Sequence, residues 1–361
     1  MTREELRNRY KDRITYFGEA IRLQTRQINL FSLARLLVLV ALIWLLALGM
    51  RDDKLLFYLL SLAMLILFLS LVSIFNKYKG HRELLRQLKL LNERELACLD
   101  HDFHDLPDGS EHADASHPWS HDLDLFGQGS LFQYLNRTFT LEGQRQLADL
   151  LTREPASAES IEQRQKIIAD LKERIDFRQN FTATAHLVDE KPGDLEDISH
   201  WLETSTFISK YRWLFYLALG VSLLSLIIII GGIFDTSRYW FLLYLFVLNM
   251  LVLSPFLLRT QQYQGIISKK HGLLEGYAGL LKQMALTSFT HPELQEKNLK
   301  ARKGMREVAK LSKLLQIFDQ RLSMLVGLIL NGFFLFDFIM LHLLERWKKK
   351  NQKQWKKTSP R

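Results

Sequence analysis

Closely spaced histidines and aspartates between residues 100 and 105 could bind a metal ion. His101, His104 and Asp105 would supply imidazole and carboxylate ligands, which suit zinc. The helical H-E-x-x-H spacing of zinc enzymes is absent from the sequence. Eight acidic residues and no Lys or Arg lie between residues 100 and 124, so the pattern favours a solvated acidic loop over a metal site.

Other catalytic chemistry has no recognisable motif in this chain. The sequence contains no G-x-x-x-x-G-K-[S/T] loop for phosphates and no G-x-S-x-G turn for a nucleophilic serine. Cys98 is the only cysteine, so neither an intramolecular disulfide nor a cysteine-based zinc cage can form. We therefore predict no catalytic residue and no cofactor site on this chain.

One motif between residues 117 and 165 is specific. Thr138 and Thr140 can cap helices at a helix-to-helix junction, and Gly143 would allow a positive φ or a close helix contact. Arg137 and Arg145 can tie such a junction by paired hydrogen bonds. These residue types predict a structural scaffold. Its predicted buried stripe consists of leucines, namely Leu131, Leu135, Leu147, Leu150 and Leu151.

The order of these residues resembles the opening of the MutS core (lever) domain. A second stretch, Gly-Asp-Leu-Glu-Asp-Ile at 193–198, looks like the "GDLERI" element of that domain. The resemblance covers residues 117–205 well and 265–345 loosely, about half of the chain. The positions that carry the first motif are Asp124, Phe126, Gly127, Ser130, Leu131, Leu135, Arg137, Thr138, Thr140, Gly143, Arg145, Leu147, Pro155, Arg164 and Gln165.

The resemblance implies a role in DNA mismatch recognition or repair, with this domain as the scaffold. ATP and Mg²⁺ would belong to the family's ATPase domain, which has no counterpart in this sequence, so a truncated or split member is expected. Phe17-Gly18-Glu19 imitates the Phe-x-Glu mismatch wedge, but it lies on a short amphipathic helix and is interpreted as chance. The implied partners are double-stranded DNA and a second copy or a separate ATPase-bearing chain.

Four apolar runs meet the length of about 20 residues that a membrane-spanning helix needs. They lie at 32–50, 55–75, 213–233 and 239–258, and short connectors join them into two transmembrane hairpins. Residues 1–31 carry seven Lys and Arg, whereas the connectors carry two and one. The positive-inside bias then predicts an inner-membrane protein with both termini in the cytoplasm.

A fifth apolar run, at 322–344, contains Asn331, Asp337 and His342. An aspartate at the centre of a span costs about 2.5–3.5 kcal/mol on insertion scales. We therefore expect one cytosolic helix that is buried against other helices, with a re-entrant or membrane-surface helix as the alternative.

The remaining segments show helical periodicity and no convincing strand pattern, so the predicted class is all-α. The net charge of +9 favours anionic partners, either lipid head groups or nucleic acid. The Lys- and Trp-rich tail fits either partner, or a soluble linker. The predicted segments are an amphipathic segment (1–31), hairpin 1 (32–75), a cytosolic helix (76–99), an acidic loop (100–129), a first lever segment (130–212), hairpin 2 (213–258), a second lever segment (259–346) and a basic tail (347–361).

Two interpretations from other classes remain open besides the MutS-like one. A membrane scaffold or sensor would bind a cytosolic partner and would have no DNA role. A transporter subunit is the weaker of the two, because the spans hold only sparse polar groups, such as Asn249 and Ser254.

Overall fold

The computed structural model describes residues 2–52, 54–153, 157–204, 211–232, 236–256, 265, 267–268, 270–319 and 324–358. Within these ranges the chain forms helices and no strand, which confirms the all-α class. The chain divides into two compact units, Met1–Leu187 and Val188–Arg361. This division falls inside the predicted first lever segment, 130–212. The α-helices of unit 1 are α1 (Arg3–Asp52), α2 (Leu55–Leu99), α3 (Leu131–Leu135), α4 (Leu141–Thr152), α5 (Ala158–Lys172) and α6 (Ile175–His186).

In unit 1, α1 and α2 form one long antiparallel hairpin. The predicted amphipathic segment and the first span belong to a single helix, α1, because no proline interrupts them. The apolar part of the hairpin exposes its large apolar side chains. Leu37, Trp44 and Ile66, for example, are more than half exposed. Both helices are long and apolar enough to cross a membrane.

The polar half of this hairpin has its own small core. Phe17 of α1 is buried among Leu85, Leu88 and Leu91 of α2, together with Ala183 of α6. Phe17 therefore packs as a core residue, and its side chain is not available as a wedge. The chance interpretation of Phe17-Gly18-Glu19 agrees with this position.

Unit 2 contains a second apolar hairpin and the helices that pack on it. Its helices are α7 (Asp194–Glu203), α8 (Arg212–Gly232), α9 (Tyr239–Leu253), α10 (His271–Leu286), α11 (Pro292–Asp319), α12 (Met324–Phe334) and α13 (Phe336–Thr358). The helices α8 and α9 are the other two candidate spans, α9 with the single turn at Ser254–Phe256. We call the end of this hairpin at Arg212 and Phe256 its open end.

The predicted fifth helix is in fact two helices. The helices α12 and α13 meet at an angle of 88°, and Leu335 between them has a φ of 46°. The helix α12 packs against α8 and α9. The expectation of one continuous helix over 322–344 is therefore wrong.

The tail also differs from a solvated linker. The helix α13 continues to Thr358, and Trp347 and Lys348 are buried within unit 2. The indole Nε1 of Trp347 donates to the carbonyl oxygen of Glu307 at 3.0 Å. A lysine-rich pattern favours exposure, but tertiary partners can reverse it for single residues.

Candidate functional site

The α3–α4 junction holds most of the MutS-like motif. Ser130 caps α3, because its side chain accepts a hydrogen bond from the backbone N–H of Gln133 at 3.2 Å. Thr140 caps α4 in the same way, accepting from the N–H of Gly143 at 3.1 Å. Thr138 does not cap a helix, since its N–H and hydroxyl both donate to the Asn136 Oδ1. The local capping prediction is confirmed for Thr140 only.

Arg137 ties this junction to helix α2. Its guanidinium donates to both carboxylate oxygens of Glu95, at 2.5 Å and 3.4 Å, and also to the carbonyls of Tyr134 and Asn136. Burial acts to lower the pKa of Arg137, but the hydrogen bonds and attraction of Glu95 outweigh it and raise that pKa. The paired hydrogen bonds expected of Arg137 are present, and they hold the segment between α3 and α4 against α2.

Gly143 lies in the first turn of α4, next to the side chains of Thr138 and Thr140. A Cβ at Gly143 would lie 2.9 Å from the Thr140 hydroxyl and 3.3 Å from the Thr138 Cβ. Its φ is not in the left-handed region. The glycine therefore serves close contact, and not the positive φ that was the other sequence-based option.

The predicted leucine stripe is wrong. Leu131 and Leu135 are each 45% exposed, whereas Phe132, one residue along, is completely buried. The rings of His112 and Phe126 pack against Phe132, with centroid distances of 5.7 and 5.5 Å, and this packing buries its side of the five-residue helix α3. Arg145 is also exposed, and among the described residues its ion-pair partner is Glu142 of its own helix, at 2.7 Å.

Other motif positions lie apart from this junction. Asp124 and Gly127 have positive φ, of 47° and 100°, and form the turn that carries Phe126 onto Phe132, with ring centroids 5.5 Å apart. Arg164 and Gln165 are exposed on α5. Leu147 is half-buried on α4, and Pro155 lies outside the described residues.

The candidate metal ligands do not converge. His101, His104 and Asp105 are exposed in a loop of turns. No group of three or more His, Cys, Asp or Glu side chains in the described ranges could hold a metal ion. These residues lie in an exposed loop, and Asp100 at its start pairs with Arg7 of α1.

In unit 2, the "GDLEDI" stretch forms the start of α7, and two of its acidic side chains bind Lys270. The Lys270 ammonium contacts the carboxylate of Asp194 and donates to Asp197 at 2.8 Å. Burial raises the pKa of Asp194, but hydrogen bonds from Lys270 and from the N–H of Lys191 outweigh burial and lower that pKa. This ion pair joins α7 to the start of α10, on either side of the hairpin inserted between them.

Lys348 caps the other end of α7. Its ammonium donates to the carbonyl oxygens of Trp201 and Thr204, the latter at 2.6 Å, and to the Thr204 hydroxyl at 3.0 Å. These acceptors belong to the last turn of α7, where carbonyls lack helical partners. Lys348 lies outside the four candidate spans, and burial lowers its pKa to about 8.

A cationic surface on α11 was missed from the sequence. Lys303, Arg306, Lys310 and Lys313 are exposed and step by three or four residues, opposite the face that buries Leu311 and its neighbours. Within the described part of the chain these four cations have no ion-pair partner within 4 Å, whereas Lys297 and Lys300 pair with Glu293 and Glu296. We call these four residues the basic face. The spacing of Lys and Arg on an amphipathic helix was the signal that could have found it.

These features define a class of protein. The residues that the structure describes are helical and include four helices long and apolar enough to cross a membrane, or five if the bent α12–α13 pair is one span. The chain is a membrane protein on this composition and length. No family model, curated protein or solved structure matches the chain.

Proposed function

We propose that this chain is a membrane-anchored scaffold of the MutS lever kind that serves DNA mismatch repair and contacts the DNA backbone through the basic face of α11. The motif around Arg137 and Thr140 supports the lever assignment, because its residues organise a helix junction. ATP hydrolysis would belong to a separate chain or segment, as the resemblance implies. The inner membrane, with both termini in the cytoplasm, is the location we propose.

The basic face is the observation that carries the DNA contact. Its four cations extend over eleven residues of α11, which is about 15 Å of helix. Duplex DNA carries one phosphate charge per about 1.7 Å of its axis, so several phosphates fall within that length. Since no carboxylate of the described residues lies within 4 Å of these cations, they can bind phosphates without first breaking a direct ion pair.

The same arrangement predicts binding without mismatch discrimination by this chain alone. Phosphate contacts carry no sequence information. Phe17, the only residue that imitated a wedge, is 6% exposed in the core of unit 1. We therefore expect equal affinity for matched and mismatched duplexes, with discrimination left to a partner.

The test is a gel shift with the full chain in neutral-lipid nanodiscs, using labelled matched and mismatched duplexes at about 50 and 200 mM salt. Arg306→Gln/Lys310→Gln should weaken binding at low salt by at least tenfold. Loss of two phosphate contacts should also reduce the slope of log affinity against log salt by about 1.8. Lys297→Gln/Lys300→Gln removes the same charge from paired lysines and should change affinity less than about threefold. Absence of binding at low salt, or equal losses for the two variants, would refute the DNA contact.

One observation favours the alternative, a membrane scaffold that binds a cytosolic protein. The helix α5 buries none of its residues, and Ile161 and Ile168 are 47% and 58% exposed. These isoleucines line a shallow pocket with Ser160, Arg164 and Gln165. A partner that copurifies with the wild type but not with Ile161→Asp/Ile168→Asp, combined with no duplex binding, would support this second function.

A further inference from the structure

We propose that α12 and the first turns of α13 form a re-entrant membrane element, which enters the bilayer beside α8 and α9, reaches about half its depth and leaves on the side it came from. The outer face of α12 then contacts lipid acyl chains. This inference goes beyond the proposed function and does not depend on it, because it concerns only unit 2 and the bilayer.

The turning point of this element lies midway along the hairpin. The Oγ atoms of Ser222 and Ser225 donate to the carbonyl oxygens of Phe334 and Phe333 at 2.9 Å and 2.5 Å, and the Asn249 Nδ2 donates to that of Gly332 at 2.7 Å. Ser222 and Ser225 lie about 15–20 Å along α8 from Arg212, and Asn249 lies about 10 Å from Phe256, at 1.5 Å per residue. Since a bilayer core is about 30 Å thick, the turn is near mid-depth.

The chain approaches this turn from the open end of the hairpin. Asp319, the last residue of α11, pairs with His271 at 3.0 Å, at the start of α10. The start of α10 also holds Lys270, which binds Asp194 and Asp197 of α7, and α7 precedes Arg212 in the chain. From Asp319 to Met324 the chain takes five steps and can extend at most about 18 Å. That reach is too short to carry Met324 past a core of about 30 Å to the far end of the hairpin.

The chain also leaves at the open end. The Phe338 ring lies 5.4 Å from the ring of Phe256, and the His342 ring stacks on Phe215 at 4.1 Å. Phe215 and Phe256 are within one turn of the ends of the hairpin. Further along α13, Lys348 binds the end of α7, on the same side. Entry and exit at one end distinguish a re-entrant element from a broken span.

The bend is built for a medium without water. Non-helical backbone at membrane depth is tolerated only where protein satisfies its polar groups. Three side chains of α8 and α9 take the last carbonyls of α12, and on the other side of the bend the Asn331 amide exchanges two hydrogen bonds with Asp337, at 3.0 and 3.1 Å. A Cβ at Gly332 would overlap the ring of Phe246, so glycine permits this approach. Ser222, Ser225 and Asn249 thus hold the bend.

Lipid is the occupant that fits the outer face of α12. Leu325, Leu328 and Ile329 are 73%, 44% and 52% exposed and step by three or four residues. The neighbouring helices α8 and α9 also expose apolar side chains, such as Ile227 and Leu251, which are 58% and 66% exposed. Because α12 packs directly on these two helices, a bilayer that surrounds them also meets α12.

Single cysteines in a Cys98→Ser background test the proposal with the full chain in liposomes. Lys313→Cys and Lys349→Cys should react with a membrane-impermeant maleimide from one side, and Ser237→Cys, at the hairpin tip, from the other. A nitroxide at Leu328→Cys should be relaxed by oxygen and protected from a water-soluble nickel reagent. Leu299→Cys, at a leucine of α11 that is 57% exposed, is the control and should be accessible to the nickel reagent.

Each other outcome overturns the proposal. Labelling of Lys313→Cys and Lys349→Cys from opposite sides would mean that the pair spans the bilayer. A nickel-accessible nitroxide at Leu328→Cys would mean that α12 lies in water. Protection from both oxygen and nickel, with dipolar broadening, would mean that a second copy and not lipid covers the face.

Discussion

Lys348 provides the sharpest test of how unit 2 is held together. The substitution Lys348→Met keeps the length and apolar stem of the side chain and removes its ammonium group. The Thr204 carbonyl oxygen then loses the donor that Lys348 supplies, whereas the Trp201 carbonyl oxygen keeps the Thr204 hydroxyl as a donor at 2.7 Å. The exposed neighbour Lys349 supplies a matched control, Lys349→Met.

Two opposing contributions set the magnitude. Leaving the Thr204 carbonyl unpaired costs about 1–3 kcal/mol, and losing the other two hydrogen bonds, to the Trp201 carbonyl and the Thr204 hydroxyl, costs about 0.5–1.5 kcal/mol each, so about 2–6 kcal/mol together. The variant also no longer buries a charge. Because burial lowers the pKa of Lys348 to about 8, from an unfolded value of about 10.4, that relief is about 3 kcal/mol at neutral pH. We expect a net loss of about 1 kcal/mol at pH 7.

The pH dependence makes the prediction sharper. Between the folded and unfolded pKa values the unfolded chain binds more protons at Lys348, so wild-type stability rises with pH in that window. From pH 7 to 9.5 this rise is about 2 kcal/mol, and Lys348→Met lacks it. The free-energy difference between the wild type and Lys348→Met should therefore grow from about 1 to about 3 kcal/mol.

Thermal unfolding of the full chain in detergent at pH 7 and pH 9.5 measures this difference. A loss of 1 kcal/mol corresponds to about 2–4 °C in Tm for a domain of this size. Lys349→Met should stay within about 0.5 kcal/mol of the wild type at both values. A Lys348→Met difference that stays constant or shrinks at pH 9.5 would show that Lys348 is neither buried nor capping α7.

Three further substitutions test unit 1 and the α7 ion pair, each followed by unfolding of the full chain in detergent. Phe17→Ala should cost about 3–5 kcal/mol, because it empties a site in the core between α1 and α2. Gly143→Ala should cost about 1 kcal/mol or more, since its Cβ would lie 2.9 Å from the Thr140 hydroxyl. Asp194→Asn should remove the stability that the Asp194 carboxylate gives to the folded protein, because Lys270 stabilises that carboxylate. The wild type has this stability in full above the unfolded pKa of about 3.9 and loses it as pH falls through the lower folded pKa.

Each of these has a control at a comparable position. Tyr16→Ala removes an aromatic ring that is 66% exposed, and it should cost far less than Phe17→Ala. Gly80 lies in α2 with no atom within 4 Å of a built Cβ, so Gly80→Ala should be neutral or stabilising. Glu196→Gln replaces an exposed acid of α7 and should leave the loss of folding stability at low pH the same as in the wild type. A Gly143→Ala variant as stable as Gly80→Ala would show that the motif glycine is not a geometric requirement.

Local features of this protein could be predicted from the sequence. Four apolar runs of sufficient length predicted four candidate spans, because crossing length and hydropathy are properties of a continuous segment. The cap at Thr140 was equally accessible, since its side chain binds a backbone N–H only three residues away. The predicted all-α class followed from periodicity in the same local way.

Tertiary structure decided which faces and which single residues are buried. Periodicity identified leucines on α3, but Phe132 takes the buried position, because the rings of His112 and Phe126 from an earlier loop pack against it. Lys348 looked like a solvated tail lysine, yet its acceptors lie 144 and 147 residues earlier in the chain. The bend at Leu335 likewise depends on Ser225 and Asn249, whose hydrogen bonds to α12 span 108 and 83 residues. A helix end or a buried charge is stable only where a distant segment supplies the missing hydrogen-bond partner, and that partner is determined by packing and not by neighbouring sequence.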